Sequence, residues 1–376
     1  MRIVVAPDSF KGTIGATDAA SAIADGWRRV RPDDVLELLP QADGGEGTLD
    51  AVRAAVPAAV LRRGPAVTGP DGRPVPSTWL ALPDGTALVE LAAVSGLPLL
   101  REPDSLGATT RGLGETIAAA LDDGATALWI ALGGSASTDG GAGALSALGL
   151  RITDAAGDEL PDGGGALARV ARVDRSGLRA APAGGIRLLS DVRSPLLGPR
   201  GAAAVFGPQK GATPQQVRVL DAGLARFASR LGPGADAPGA GAAGGTGYGF
   251  IAAWGAEPRS GADAVAELTG LPAAIERADL VITGEGRADA TSLEGKVVGR
   301  VLERAVASGT PALVIAGAGA LDPHPSIALV EIAGSVEAAL ADPARWLRAA
   351  GQRAAGQRAA GQRAAEAAPD RASRLR

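Results

Sequence analysis

The stretch ALWIALGGSASTDGGAGALSALG, residues 127–149, narrows the available folds more than any other part of the chain. Its apolar opening, 127–132, has the length of a buried strand. Glycines at 133, 134, 140, 141 and 143 follow, with Ser135, Ser137, Thr138 and Asp139 between them, before an apolar segment suited to a helix. A strand that opens into such a loop can turn several backbone N–H groups toward an anion, because glycine tolerates positive φ and close approach. A flexible turn is the plainer alternative for this loop taken alone. Gly133, Gly134 and Ser135 are the candidate substrate- or phosphate-binding residues here.

The same unit recurs. A strand at 3–6 stops at Pro7 and releases Asp8, Ser9, Lys11 and Gly12 ahead of a helix over 17–30 that carries Ala20, Ile23, Trp27 and Val30 on one face. A strand at 35–39 runs into QADGGEGT, 41–48, and a helix with Leu49, Val52 and Val56. Consecutive strand–loop–helix units predict a parallel sheet with ligands at the carboxyl ends of its strands. The turn sequences GPDG, 69–72, and PDGT, 83–86, then indicate a meander and place a new domain from near residue 60. A helix over 110–122 returns the chain to the strand at 127–132. Residues 150–185 have no clear assignment, and a strand at 186–190 ends on Asp191.

Thr213, Pro214 and Gln216 form a capping-box pattern ahead of a helix that turns Val217, Leu220, Leu224, Phe227 and Leu231 inward. PGAGAAGGTGYG, 238–249, reads as a phosphate-hugging or hinge loop, or as a linker. From about 271 the alternation resumes. Strands are predicted at 280–283, 313–316 and 327–332, and GEGRADATSLEGK, 284–296, leads to a helix presenting Val298, Leu302 and Val306. The expected fold class is α/β with two domains. One is a discontinuous parallel-sheet domain, 1–59 plus 270–346; the other is an inserted mixed α/β domain, 60–269. The tail, 347–376, repeats GQRAA three times, lacks a large apolar face and is expected to be peripheral.

Composition removes several chemistries. Cysteine is absent and His324 is the single histidine, so disulfides, thiol nucleophiles and Cys- or His-rich metal sites are excluded. His324, between two prolines, reads as a turn residue. A net charge of −4 argues against an electrostatic hold on nucleic acid. The short apolar start is not a signal peptide and no run reaches membrane-spanning length, so a soluble cytoplasmic protein is expected. Self-association as a homo-oligomer stays open. No G-x-x-x-x-G-K-[ST], strand-following G-x-G-x-x-G or G-x-S-x-G motif is present. Trp27, Trp129, Trp254 and Phe227 read as core residues.

The remaining signal pairs carboxylates with glycines and lysines. The three lysines, Lys11, Lys210 and Lys296, each stand beside a glycine, as suits compact point charges near phosphate or carboxylate. Asp8, Asp43, Glu46, Asp139, Asp191, Glu285, Asp289 and Glu294 occupy the same loops, with Arg287 among them. A hydroxyl kinase needs oxygen ligands for Mg2+, positive charge on the transferred phosphoryl group and a carboxylate to receive the hydroxyl proton. Asp191 and Lys296 are the catalytic candidates. Asp8, Ser9, Lys11, Lys210 and Arg287 join the binding set, and Asp43, Glu46 and Asp289 form the candidate Mg2+ sphere.

These loops also carry a family resemblance. APDSFKG at 6–12, ADGGEGT at 42–48, LGGSASTDGGAG at 132–143, FGPQKGA at 206–212, PGAGAAGG at 238–245 and VITGEGRADATSLEGK at 281–296 together resemble the bacterial glycerate kinases over about residues 1–340. The resemblance implies ATP-dependent phosphorylation of D-glycerate, with 2-phosphoglycerate favoured over 3-phosphoglycerate. It also implies a flavodoxin-like domain joined to a mixed α/β domain, with the active site between them. A kinase for another small hydroxy acid or sugar acid is the nearest alternative, and a noncatalytic metabolite-binding protein a more distant one.

Overall fold

The chain is described as a computed structural model over residues 1–293 and 296–367, with side chains as far as residue 360. Glu294 and Gly295, and the side chains from residue 361 onward, which include the third repeat, lie outside the described residues. The chain divides into two compact units, 1–41 with 269 onward, and 42–268. The first crossing thus falls at 41/42, earlier than the change of sequence pattern near 60. The reason is packing: helix Thr48–Ala55 buries Leu49, Ala51 and Val52 with Leu80, Leu88 and Val265 of the second unit.

The first unit is built on five parallel strands in the order Ser326–Ala328, Ala312–Gly319, Leu280–Ala288, Arg2–Val5, Val35–Leu38. Ile3, Val4 and Val5 are wholly buried, as a parallel strand covered on both faces requires. Helix Ala16–Arg28 turns Ala19, Ala20, Ile23 and Trp27 inward and ends before Val30, which is 43% exposed rather than part of the buried face. Helix Val297–Ser308 buries Val298 and Leu302 but leaves Val306 69% exposed. In both helices the apolar spacing runs one turn past the covered surface. The predicted strand at 327–332 shortens to Ser326–Ala328, and Leu329–Ala333 is helical. His324 sits in a turn, its N–H donating to Leu321 O.

The tail is not peripheral. Helix Pro343–Ala367 buries Leu347, Ala350, Ala354 and Ala355 in the core that holds Ile23 and Trp27. A Cβ at Gly26 would collide with the backbone carbonyl of Arg348, and one at Gly351 with that of Ile23. The first GQRAA repeat therefore supplies close backbone approach and small side chains, which a search for bulky apolar faces overlooks.

The second unit carries a mixed six-stranded sheet in the order Glu257–Arg259, Ile186–Leu189, Ala127–Ala131, Thr86–Glu90, Thr78–Ala81, Val60–Arg63. The first four strands are parallel; Thr78–Ala81 runs antiparallel to Thr86–Glu90 through the PDGT turn and antiparallel to Val60–Arg63 on its other side. Within 150–185, Arg151–Thr153 pairs antiparallel with Arg172–Asp174. The capping box forms: Thr213 Oγ1 accepts from Gln216 N at 3.3 Å and Gln216 Oε1 from Thr213 N at 2.8 Å. Helix Pro214–Leu231 then buries Leu220, Leu224, Phe227 and Leu231.

Residues 238–249 are neither linker nor open loop. Most fall in Ala242–Trp254, a helical segment interrupted where Ala243, Gly244 and Gly245 take left-handed backbone angles. Ala243, at φ 51, bears a conformational cost of about 1–2 kcal/mol that a glycine would not. Tyr248 is buried and its hydroxyl donates to Gly232 O at 2.7 Å. Trp27 and Phe227 are core residues as expected. Trp129 lies under the Arg187 guanidinium at 4.8 Å, and Trp254 donates to Arg179 O. Among the described residues no helix is long and apolar enough to cross a membrane.

Candidate active site

In the second unit four parallel strands end side by side at Glu90, Ala131, Leu189 and Arg259, and each releases a loop from the same sheet edge. The ADGGEGT segment joins this edge, with Gly133 N donating to Gly44 O at 2.9 Å. The Gly133–Gly134–Ser135 loop is pinned by Leu97 N to Gly134 O at 2.9 Å and Ala136 N to Ser95 O at 3.0 Å. Gly134 is exposed at its tip.

Asp191 follows the Ile186–Leu189 strand. The residue is exposed as a whole, but its carboxyl turns onto the start of helix Gly261–Leu268 and accepts from Gly261 N at 3.0 Å. Desolvation there raises its pKa, the nearby Asp43 adds repulsion, and the Ser260, Gly261 and Ala262 donors oppose both. Position 261 must be glycine for this approach, because a Cβ would collide with Asp43 O. The structure thus brings Asp43 and Asp191 together, two carboxylates sharing one edge. Glu46 stands exposed on the same loop.

Glu90 had no place among the sequence candidates. It ends the Thr86–Glu90 strand at 6% exposure and holds both sides of the ADGGEGT turn, Oε1 accepting from Gly47 N and Oε2 from Leu49 N, each at 3.1 Å. Burial pushes it up to about 7, with Asp50 and Glu46 adding repulsion against the two donors. A lone acid closing the apolar strand TALVE was its signal, since a carboxylate there needs donors.

A folded pKa of about 7 above the ordinary value of 4.5 means that Glu90 supports folding most at low pH and loses that contribution as pH rises toward and through 7. The urea midpoint of the parent chain should therefore fall relative to Glu90→Gln between pH 5 and 8. The difference should steepen to at most about 1.4 kcal/mol per pH unit. Parallel pH curves for the two proteins would remove this assignment.

Lys210 also differs from expectation. It is 2% exposed, and its ammonium donates to Ser135 Oγ at 2.8 Å and Ser137 O at 2.5 Å. Through these two bonds it ties down the Gly133–Asp139 loop. Burial brings its pKa down to about 7, while Asp139 pulls the other way. Asp139 is itself fully buried and accepts from Thr110 N, Thr110 Oγ1, Gly141 N and Gly143 N. That donor set marks it as a structural clasp.

A second cluster lies in the first unit. Asp8 N donates to Gly284 O at 2.8 Å, which seats the Asp8–Ser9 loop on the Leu280–Ala288 strand. Asp8 is buried and its Oδ1 accepts from Ser9 N. Glu285, half-buried on the same strand, has its pKa raised by desolvation, with Ser292, Lys296 and Lys11 opposing and Asp289 reinforcing the shift. Its Oε1 is buried with no hydrogen-bond partner among the described residues. Lys296 is exposed at the N-cap of Val297–Ser308, and Nζ donates to Thr291 Oγ1 at 3.1 Å. Arg287 is exposed and 3.7 Å from Asp289, whose Oδ1 accepts from Thr291 N and Oγ1.

Asp43 and Glu46 belong to one unit and Asp289 to the other. Among the described residues no three His, Asp or Glu side chains group to hold a metal ion. The orphaned Glu285 oxygen, flanked by two lysines, is the feature of the first unit that suits a hard cation or a ligand hydroxyl.

Residues 3–358 match the model of the glycerate kinase family. The chain is 44% identical over 328 residues to a glycerate kinase of Bacillus subtilis (strain 168), covering 84% of this chain and 85% of that one. It is 44% identical over 326 residues to glycerate 2-kinase of Escherichia coli (strain K12), again covering 84% and 85%. A crystal structure from Salmonella typhimurium LT2 superposes with a TM-score of 0.83 at 39% identity, covering 96% of this chain and 99% of that one.

Proposed function

The chain belongs to the glycerate kinase family, and from that premise we propose that it transfers the γ-phosphoryl group of ATP to the 2-hydroxyl of D-glycerate. The observation that carries this reading is the shared sheet edge where Asp43, Asp191 and the Gly133–Ser135 loop meet. A raised carboxyl at a strand end suits acceptance of the attacking hydroxyl's proton, so Asp191 takes the role of general base. Gly133, Gly134 and Ser135 supply backbone and hydroxyl donors to an anionic oxygen, and Lys210 and Glu90 hold the two neighbouring loops in register.

In the first unit Lys11, Lys296 and Arg287 offer positive charge to an anionic substrate group, with Asp8 and Ser9 beside them. Within this unit Glu285 Oε1 is the carboxylate oxygen best suited to Mg2+. Mg2+, when bound, neutralises phosphate charge that would otherwise oppose attack. The strand order of this unit, 5-4-3-1-2 when its strands are numbered within the unit, supports reading it as flavodoxin-like.

Phosphorus NMR of a reaction containing ATP, Mg2+ and D-glycerate should show 2-phosphoglycerate and ADP. Tartronate, lactate and erythronate should react more slowly. A product that is 3-phosphoglycerate alone would overturn the regiochemistry, and absence of transfer to glycerate would overturn the substrate.

A further inference from the structure

The segment that follows Asp191 lines a cavity that the roles above leave unused. It has a volume of about 500 Å³ and is walled by Arg193, Ser194, Pro195, Arg200, Asp236 and Pro238. The walls are tied backbone to backbone. Leu196 N donates to Ala235 O at 2.8 Å and Gly241 N to Ser194 O at 2.9 Å, joining the two lining segments. Gly198 N donates to Asp221 Oδ1 at 3.0 Å and fixes the turn between the two arginines. The backbone of the lining segments is therefore tied together without a ligand, with the exposed side chains of Arg193 and Arg200 carried on it.

Its charge is suited to one class of ligand. Arg193 and Arg200 have no hydrogen bond or ion pair among the described residues, and Asp236 is the single acid in the lining. Guanidinium groups present planar forks that match phosphate oxygens two at a time. The volume falls within the range of about 300–1,000 Å³ typical of small-molecule sites, and a three-carbon acid would fill only a fraction of it. A larger anion with several charged oxygens can meet both forks at once.

We propose that this cavity is a polyphosphate site that takes the triphosphate of the nucleotide donor, with Arg193 and Arg200 gripping phosphoryl oxygens. The assignment of the nucleotide as occupant rests on the kinase reading. Arg193 is two residues past Asp191, so the loop that carries the base also carries the grip on the donor. Asp236 tempers the positive charge and offers an acceptor to a hydroxyl or amino group on the rest of the nucleotide.

Calorimetric titration of the full chain with ATP, with inorganic tripolyphosphate and with D-glycerate tests this. Arg193→Ala and Arg200→Ala should each weaken ATP and tripolyphosphate binding by about three- to tenfold, and the double variant by about thirtyfold or more. Glycerate binding and Tm should hold. Arg193→Lys with Arg200→Lys should recover part of the loss, because charge returns without the fork. Arg169→Ala, an exposed charge outside the cavity, should change nothing.

Wild-type strength of ATP and tripolyphosphate binding in the double variant would overturn the site. So would a loss confined to glycerate, an equal loss in Arg169→Ala, or a parent chain that binds neither polyphosphate. Loss of tripolyphosphate binding with ATP unaffected would overturn the nucleotide as occupant. If the arginine variants lose ATP but the parent chain does not phosphorylate glycerate, the site stands and the substrate reading falls. If the parent phosphorylates glycerate and the double variant binds and turns over ATP normally, the site falls and the kinase reading stands.

Discussion

A chain ended after Asp342 is expected to lose the fold of its first unit. The cut removes Leu347, Ala350, Ala354 and Ala355 and uncovers the face of Ile23 and Trp27 on which they pack. Burying a large apolar side chain contributes about 1.5–3 kcal/mol and each buried methyl about 0.8 kcal/mol. The loss is therefore on the order of 5 kcal/mol or more, close to the whole stability of a typical domain, about 5–15 kcal/mol. A cut after Ala350 keeps Leu347 but forfeits the Gly351 contact and two buried alanines, and should lower the first unit's Tm by about 5–10 °C. A cut after Ala360 keeps every buried contact described and should be nearly silent. Calorimetry and limited proteolysis of the three truncations would measure the series. Equal melting of the Asp342 truncation and the parent would show that the helix contributes nothing.

Asp191→Asn should lower kcat by at least about tenfold. The substitution separates two jobs of one side chain. Asn is about as good a helix cap as Asp, so Oδ1 can still accept from Gly261 N and the start of Gly261–Leu268 should hold. What disappears is the charge and with it the capacity to take a proton. Removing the repulsion between Asp191 and Asp43 should also spare the fold any penalty. A melting temperature within about 3 °C of the parent, with depressed turnover, is the expected pair of results. A defect relieved by raised Mg2+ would transfer Asp191 to the metal sphere. Normal turnover and normal Mg2+ response would make it a helix cap only.

Much of this was legible where local chemistry and final environment coincide. The wholly buried run Ile3–Val5, the Thr213 capping box and Asp191 at a strand end all follow from residue type and spacing. Other features depend on partners far along the chain. The donors to Glu90 come from residues more than forty positions earlier, and the acceptors for the Lys210 ammonium lie on another loop altogether. A glycine beside Lys210 looks the same in sequence as one beside Lys296, yet the first lysine is buried and the second exposed. The tail was misread because its interface is made from glycine and alanine. Its contact area comes from backbone approach, which a scale of side-chain hydrophobicity does not register.

The insertion of one unit into the other also sets the order in which a ribosome can deliver finished parts. Strand Arg2–Val5 lies inside its sheet, next to the edge strand, but Ile3 pairs with Leu280, and Thr283 reaches back 277 residues to Ala6. At about 5–20 residues per second, that partner emerges roughly 14–55 s later. Until then Arg2–Val5 has Val35–Leu38 on one side and a bare edge on the other. Residues 42–268 are meanwhile complete and can close their own core. The half made first thus finishes last, and a nascent chain halted before residue 280 would hold a closed inserted unit on an open, adhesive stub.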